Sequence, residues 1–151
     1  YVQKETHMVG CILTGHGSFA DGLAGALEMV GGPQTDFVPV TFYESEAAEF
    51  SQKVADAISS MASSCDGVLV FCDLMGGTPF NQAMMNAATI PGVEVVTGAN
   101  LPMLLETLSC RTESSTLDEL VECALTAGKM GVDHRVLDAS TDTDEDEEDG
   151  L

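Results

Sequence analysis

The chain contains no tryptophan, and only five of its 151 residues are basic. Lys4, Lys53, Arg111, Lys129 and Arg135 face 25 aspartates and glutamates, for a net charge of −20 at pH 7. That balance argues against nucleic acid and against anionic membrane surfaces as partners. No apolar run approaches the ~20 residues needed to span a bilayer. The opening residues, Tyr1 to His7, have no apolar segment of the kind a signal peptide needs. The five cysteines, Cys11, Cys65, Cys72, Cys110 and Cys123, form no C-x-x-C pair and are odd in number. They read as free thiols in a reducing compartment, too scattered along the chain for a zinc site. No basic residue falls in either of the two motif stretches described below. A phosphate group here would therefore depend on backbone N–H groups and helix N-termini.

A hydrophobic content of 44% is enough for one core in a chain of this length. Residues 1–7 read as a tag or disordered segment, 8–138 as one domain, and 139–151 as an acidic, disordered tail. Within the domain, "MVGCILT" (8–14) is a β-rich run. Phe19, Leu23, Leu27 and Val30 then recur at helical spacing before a glycine pair. "DFVPVTF" (36–42) reads as a strand that Pro39 assigns to an edge. Ser45 is a candidate cap for the next helix, whose stripe is Phe50, Val54, Ile58 and Met61. "GVLVFC" (67–72) is continuously apolar, as in a strand buried on both faces. Thr78 followed by Pro79 reads as a cap and first helical residue. Residues 93–98 suggest a fourth strand, and Pro102 suits a first helical turn. Thr116 to Glu119 is a capping box, and 132–138 alternates like a short last strand. The alternation of strand and helix argues for an open, doubly wound parallel sheet with helices on both faces.

Two stretches carry candidate chemistry: "LTGHGS" (13–18) and "FCDLMGGTPFN" (71–81). In open parallel sheets, ligands bind beyond the carboxyl ends of the strands, where strand order reverses. With strand order 2-1-3-4 that point lies between strands 1 and 3. His16 and Asp73, 57 positions apart, would then face each other across it. A carboxylate on one imidazole nitrogen fixes the tautomer and leaves the other nitrogen as an oriented nucleophile. Gly15 and Gly17 let the chain turn sharply and let a bulky group approach. Gly76-Gly77-Thr78 is a turn into a helix N-terminus. Because Pro79 has no N–H, the candidate anion donors there are Gly77, Thr78 and Phe80, with Gly17 opposite. His7 and His134 lack such a setting.

At these residues the sequence resembles a known family. "ILTGHGSFADGL", "VLVFCDLMGGTPFNQA" and "TGANLPMLLETL" are similar to three segments of the IIA component of the mannose-type family of the bacterial phosphoenolpyruvate-dependent sugar phosphotransferase system. The likeness runs from Met8 to Asp138. It implies that His16 accepts a phosphoryl group from the carrier HPr and passes it to a cognate IIB protein, which serves a IIC/IID permease. Asp73 would hold Nδ1, leaving Nε2 as nucleophile. Gly77 and Thr78 would match the phosphate-cradling turn, and Asn100 and Pro102 an N-x-P pair beside it. The resemblance implies no metal, nucleotide or other cofactor. It further implies a cytoplasmic homodimer that meets the inner membrane only through the permease, with residues 132–137 as a strand exchanged between copies. The chain ending after its acidic tail leads us to expect IIB on a separate polypeptide. Ser18 and Met75 stand where better-known mannose members can carry tryptophan. With Phe19, Leu74, Asn100 and Pro102 they are expected to form the rim on which a partner docks.

Two other readings fit some of the same residues. One is a regulatory phosphohistidine module relaying to a dihydroxyacetone kinase or a transcription regulator. The other is a hydrolase using His16 and Asp73 as an acid–base dyad, for which no nucleophile other than Ser18 is evident.

Overall fold

The computed structural model describes residues 8–138; the expectations for 1–7 and 139–151 fall outside them. Four strands, β1 (Val9–His16), β2 (Phe37–Phe42), β3 (Gly67–Cys72) and β4 (Val93–Val96), form one parallel sheet in the order β2-β1-β3-β4. Five helices flank it: α1 (Phe19–Gly31), α2 (Ala47–Ser64), α3 (Gly77–Thr89), α4 (Leu101–Cys110) and α5 (Leu117–Met130).

The two-residue period of the strands divides the core in two. Val9, Cys11 and Leu13 of β1, with Leu69 and Phe71 of β3, face α1, α4 and α5. Ile12, Val68, Val70 and Cys72 face α2 and α3. Every residue of β3 is buried, which is why the sequence there shows no polar alternation. Each such aliphatic side chain contributes on the order of 1.5–3 kcal/mol through burial. On α2, Phe50, Val54, Ile58 and Met61 are all buried, as their spacing predicts. Pro39 lies in β2, which pairs on one side only. The thiols of Cys11 and Cys72 are pushed up to about 12, chiefly by burial. They act as small apolar side chains rather than as reactive groups.

Arg111 has no part in any motif and is buried. Its Nη1 donates to the carbonyls of Val9 (2.9 Å) and Asp36 (3.1 Å), and Nη2 donates to the carbonyl of Thr35. This cation closes the end of the sheet where β1 begins, opposite the end that carries His16.

Several boundaries differ from expectation. Ser45 does not cap α2: residues Glu44–Glu46 form a 3-10 turn, and the helix begins after Glu46. Thr78 is not a cap either, because α3 opens at Gly77 with Gly76 before it. Val30, at the last turn of α1, is exposed rather than packed. Residues 132–138 form no strand within the chain. Among the described residues they pair with no strand edge, so no ladder there satisfies their N–H and C=O groups. Asp133 and Arg135 still pair on one side at 2.7 Å, as alternate residues of an extended segment can.

Candidate functional site

The site forms where β1 and β3 end side by side. Residue 16 closes β1, β3 ends at Cys72, and the register pairs Thr14 with Cys72. His16 and Asp73 therefore leave the sheet together at the reversal between its two halves. Asp73 Oδ2 lies 2.7 Å from His16 Nδ1 and accepts the His16 backbone N–H at 2.9 Å. Its Oδ1 accepts the Leu74 N–H at 2.9 Å.

These contacts set the ionisation of Asp73 and the tautomer of the His16 ring. Burial works to raise the Asp73 carboxyl, but the His16 amide, the His16 ring and the Leu74 amide outweigh it and hold the group below 3.8. An ionised carboxylate can only accept, so Nδ1 must carry the proton. In the neutral ring, Nε2 is then the nitrogen with the free lone pair. The His16 side chain is 45% exposed and that of Asp73 12%, so the imidazole faces solvent while the carboxylate that holds it is sheltered.

Nε2 points at the glycine turn. A Cβ on Gly77 would lie 3.1 Å from Nε2 and 3.0 Å from Cε1, and Gly77 has φ of +80°. Both the backbone conformation and the approach to the ring call for glycine. Gly15 is required for a different reason: a Cβ there would come within 2.9 Å of the Asp73 carboxyl carbon and 2.5 Å of the Phe19 ring. The exposed Thr78 and the half-buried Phe80 follow in the first turn of α3. The positive end of α3 thus lies beside Nε2, and α1 begins three residues after His16.

Other expected contributors do different work. The Gly17 N–H donates to the Phe42 carbonyl at 2.6 Å, so it is engaged rather than open to an anion. Asn100 caps α4: its Oδ1 accepts the Met103 N–H at 2.9 Å, and its Nδ2 donates to the Gly128 carbonyl at 2.9 Å. Both polar atoms of Asn100 thus join α4 to α5. Pro102 is exposed and borders the groove between α4 and α5, against Gly131. Leu74 and Met75 are 50% and 75% exposed, and Ser18 is exposed at the start of α1. Phe19 is half-buried against the core.

Two residues escaped the sequence reading. Phe42 stands edge-on to the imidazole, with centroids 5.7 Å apart and planes at 81°, and it packs on Phe50 at 4.7 Å. Lys53 of α2 reaches the Thr41 carbonyl at 3.3 Å and the Thr41 hydroxyl at 3.2 Å. Thr41 pairs with Gly15, so one cation does stand at this end of the sheet. Neither residue could be placed without the register of β2 against β1.

An exposed histidine, oriented by a carboxylate at the switch point of a doubly wound sheet and facing a glycine turn at a helix N-terminus, defines a class: an α/β domain built to present one imidazole at its surface. Residues 10–125 match the family described as the PTS system fructose IIA component, and the chain belongs to that family of phosphotransferase-system proteins. It is 34% identical over 124 residues to the mannose-specific EIIAB component of Escherichia coli, a match covering 82% of this chain and 38% of that protein. The chain thus spans about two fifths of that relative's length. The fructose-specific EIIA component of Bacillus subtilis is 30% identical over 146 residues, covering 93% of this chain and 99% of that one. Among solved structures, the mannose/sorbose-specific IIA subunit of Enterococcus faecalis superposes with a TM-score of 0.77 at 32% identity, covering 88% of this chain and 98% of its own. The EIIA component of Streptococcus agalactiae gives 0.75 at 32% identity, covering 84% and 97%. Among the described residues, no helix is long and apolar enough to cross a membrane.

Proposed function

We propose that this protein is a phosphoryl carrier of a sugar phosphotransferase system, working in the cytoplasm between HPr and a cognate IIB domain. The Nε2 lone pair of His16 attacks the phosphorus of phosphohistidine on HPr. A new N–P bond forms as the old one breaks, and the HPr imidazole leaves with the bonding pair. Nδ1 keeps its proton, and the carboxylate of Asp73 stabilises the positive charge that develops on the ring. The N–H groups of Gly77 and Thr78, at the start of α3, take the charge of the transferred group. Transfer to IIB reverses these roles. IIB in turn phosphorylates the sugar entering through the IIC/IID permease.

The observation that carries this reading is the 2.7 Å contact of Nδ1 with Asp73, together with Nε2 facing Gly77. Transfer between two imidazoles is close to isoergic, so positioning and electrostatics can supply most of the catalysis. The exposed Leu74 and Met75 offer the docking partner an apolar rim beside the nucleophile. An apolar or basic partner face fits a chain this acidic.

The chain also works as a homodimer, lending residues 132–137 to the free edge of β4 in a second copy. Two features support this. Among the described residues β4 pairs with β3 alone, and Val132, Val136 and Leu137 are exposed at 79%, 78% and 96%.

The test is incubation with phosphoenolpyruvate, enzyme I and HPr. One acid-labile phosphoryl group should appear per chain, be absent from His16→Ala, and be discharged by added IIB. Phosphorylation that no IIB protein can discharge would favour the regulatory module. Release of phosphate from esters without HPr would favour the hydrolase.

A further inference from the structure

Cys110 and Cys123 are 13 positions apart and show no metal-binding spacing, yet the fold brings them together with a carboxylate. Glu106 and Cys110 are four apart on α4 and so lie on one helix face. The Cys110 Sγ is 3.6 Å from Glu106 Oε1. Cys123 approaches from α5. One oxygen of Glu106 and the two sulfurs all lie within 4.8 Å of one another. Cys11, Cys65 and Cys72 are buried, whereas Cys110 is exposed and Cys123 half-buried. Core packing accounts for the first three thiols, whereas these two lie outside the buried core.

We propose that Glu106, Cys110 and Cys123 bind a zinc ion that clasps α4 to α5. Two sulfurs and one carboxylate oxygen are a donor set zinc accepts, and the oxygen disfavours copper(I) as the occupant. In a tetrahedral site such donors stand roughly 3.3–3.8 Å apart, given bonds of 2.0–2.3 Å. Closing from within 4.8 Å to that spacing is an adjustment on the scale of side-chain rotation. On binding, each thiol releases its proton to solvent and the carboxylate contributes its charge directly. Glu106 and Cys123 also line a groove of about 720 Å³ between α4 and α5, together with Glu122. The groove gives the ion a path in and water access to the fourth position. Its lining includes neither His16 nor Asp73, so this site is separate from the phosphoryl chemistry.

The test uses the full chain, with thiols held reduced by a phosphine, titrated with cobalt(II) as a spectroscopic stand-in and then with zinc. Thiolate-to-cobalt charge transfer and tetrahedral d–d absorption should appear together, saturate at one ion per chain, and bleach on addition of zinc. C110S and C123S should each abolish the charge transfer, and E106Q should weaken binding by about ten-fold or more. Unchanged circular dichroism and Tm in the metal-free variants would show that they remain folded. Cobalt binding without thiolate charge transfer would place the ion on carboxylates elsewhere and overturn the proposal. So would a full-strength band in either cysteine variant, or unchanged affinity in E106Q.

Discussion

Asp73 takes two hydrogen bonds through one oxygen from a single residue, the backbone amide and the ring of His16, at 2.9 and 2.7 Å. The carboxylate therefore fixes both where β1 ends and which way its last side chain turns. Asp73→Asn keeps the size of the group but places a donor or a neutral acceptor where an ionised acceptor was. Without the carboxylate, the proton can move to Nε2, and the ring loses its counter-charge. Phosphoryl acceptance from HPr should slow by about two orders of magnitude or more, measured by rapid quench. A rate within two-fold of the parent would show that Asp73 does not orient the nucleophile.

The close approach of Gly77 to the imidazole leads to a second expectation. Gly77→Ala combines an unfavourable φ of +80° with a Cβ about 3 Å from Nε2 and Cε1. The turn or the ring must shift, and either moves the donors away from the nucleophile. The loss of transfer rate should exceed the loss of stability. A control at Gly98, also at positive φ but with nothing within 4 Å of its Cβ position, should destabilise without a matching loss of transfer. Equal transfer rates in the two variants would count against a phosphate cradle at Gly77.

How much of this could be read from the sequence depended on how local each feature is. Continuous burial of β3, the apolar stripe of α2 and the edge position of Pro39 each leave a pattern in consecutive residues, and all three hold. The pairing of His16 with Asp73 was legible because strand order reverses between the strands they end. Caps were less legible, since several residues near a helix start can serve. Ser45 lost to a 3-10 turn and Thr78 to a glycine pair in left-handed conformation. Asn100 stands out in the sequence as part of an N-x-P pair, but its hydrogen bond to Gly128 is set by how α4 packs on α5. Phe42, Lys53 and the Cys110–Cys123 contact depend entirely on tertiary register, which no local pattern records.

The depressed carboxyl of Asp73 implies a pH signature. Its folded-state value lies below the ordinary 3.8, so its contribution to stability is complete above 3.8 and fades as pH falls through the folded value. The stability gap between the parent and Asp73→Asn should therefore shrink as pH falls below the ordinary carboxylate value of 3.8. Urea unfolding across that range measures the gap. A gap that widens as pH falls below 3.8 would mean that the native carboxyl is raised instead.

Leu74 and Met75 are exposed, apolar and adjacent to the orienting carboxylate, and burying them is useful only when a partner arrives. Replacing both with alanine should leave Tm nearly unchanged, because surface substitutions of this kind typically stay within about 0.5 kcal/mol. The KM for phospho-HPr should rise about ten-fold or more, as expected when apolar anchors are lost from an interface. An unchanged KM would exclude them from the docking face.

The outer edge of β4 and residues 132–137, which join no strand among the described residues, make the last prediction. Val132 and Val136 fall on one side of an extended segment, with Asp133 and Arg135 ion-paired on the other. Such a segment can complete a sheet only where an edge is open. On β2, Pro39 cannot donate to a new ladder, whereas β4 contains no proline. Ending the chain at Gly131 should convert a dimer into a monomer by sedimentation at micromolar concentration. Val136→Asp in the full chain should weaken the dimer without removing the backbone ladder. Because His16, Asp73 and Gly77 all come from one chain, the truncated monomer should still accept phosphate. A truncated chain that sediments as a dimer would leave the association to another surface, and a full chain that sediments as a monomer would end the case for exchange.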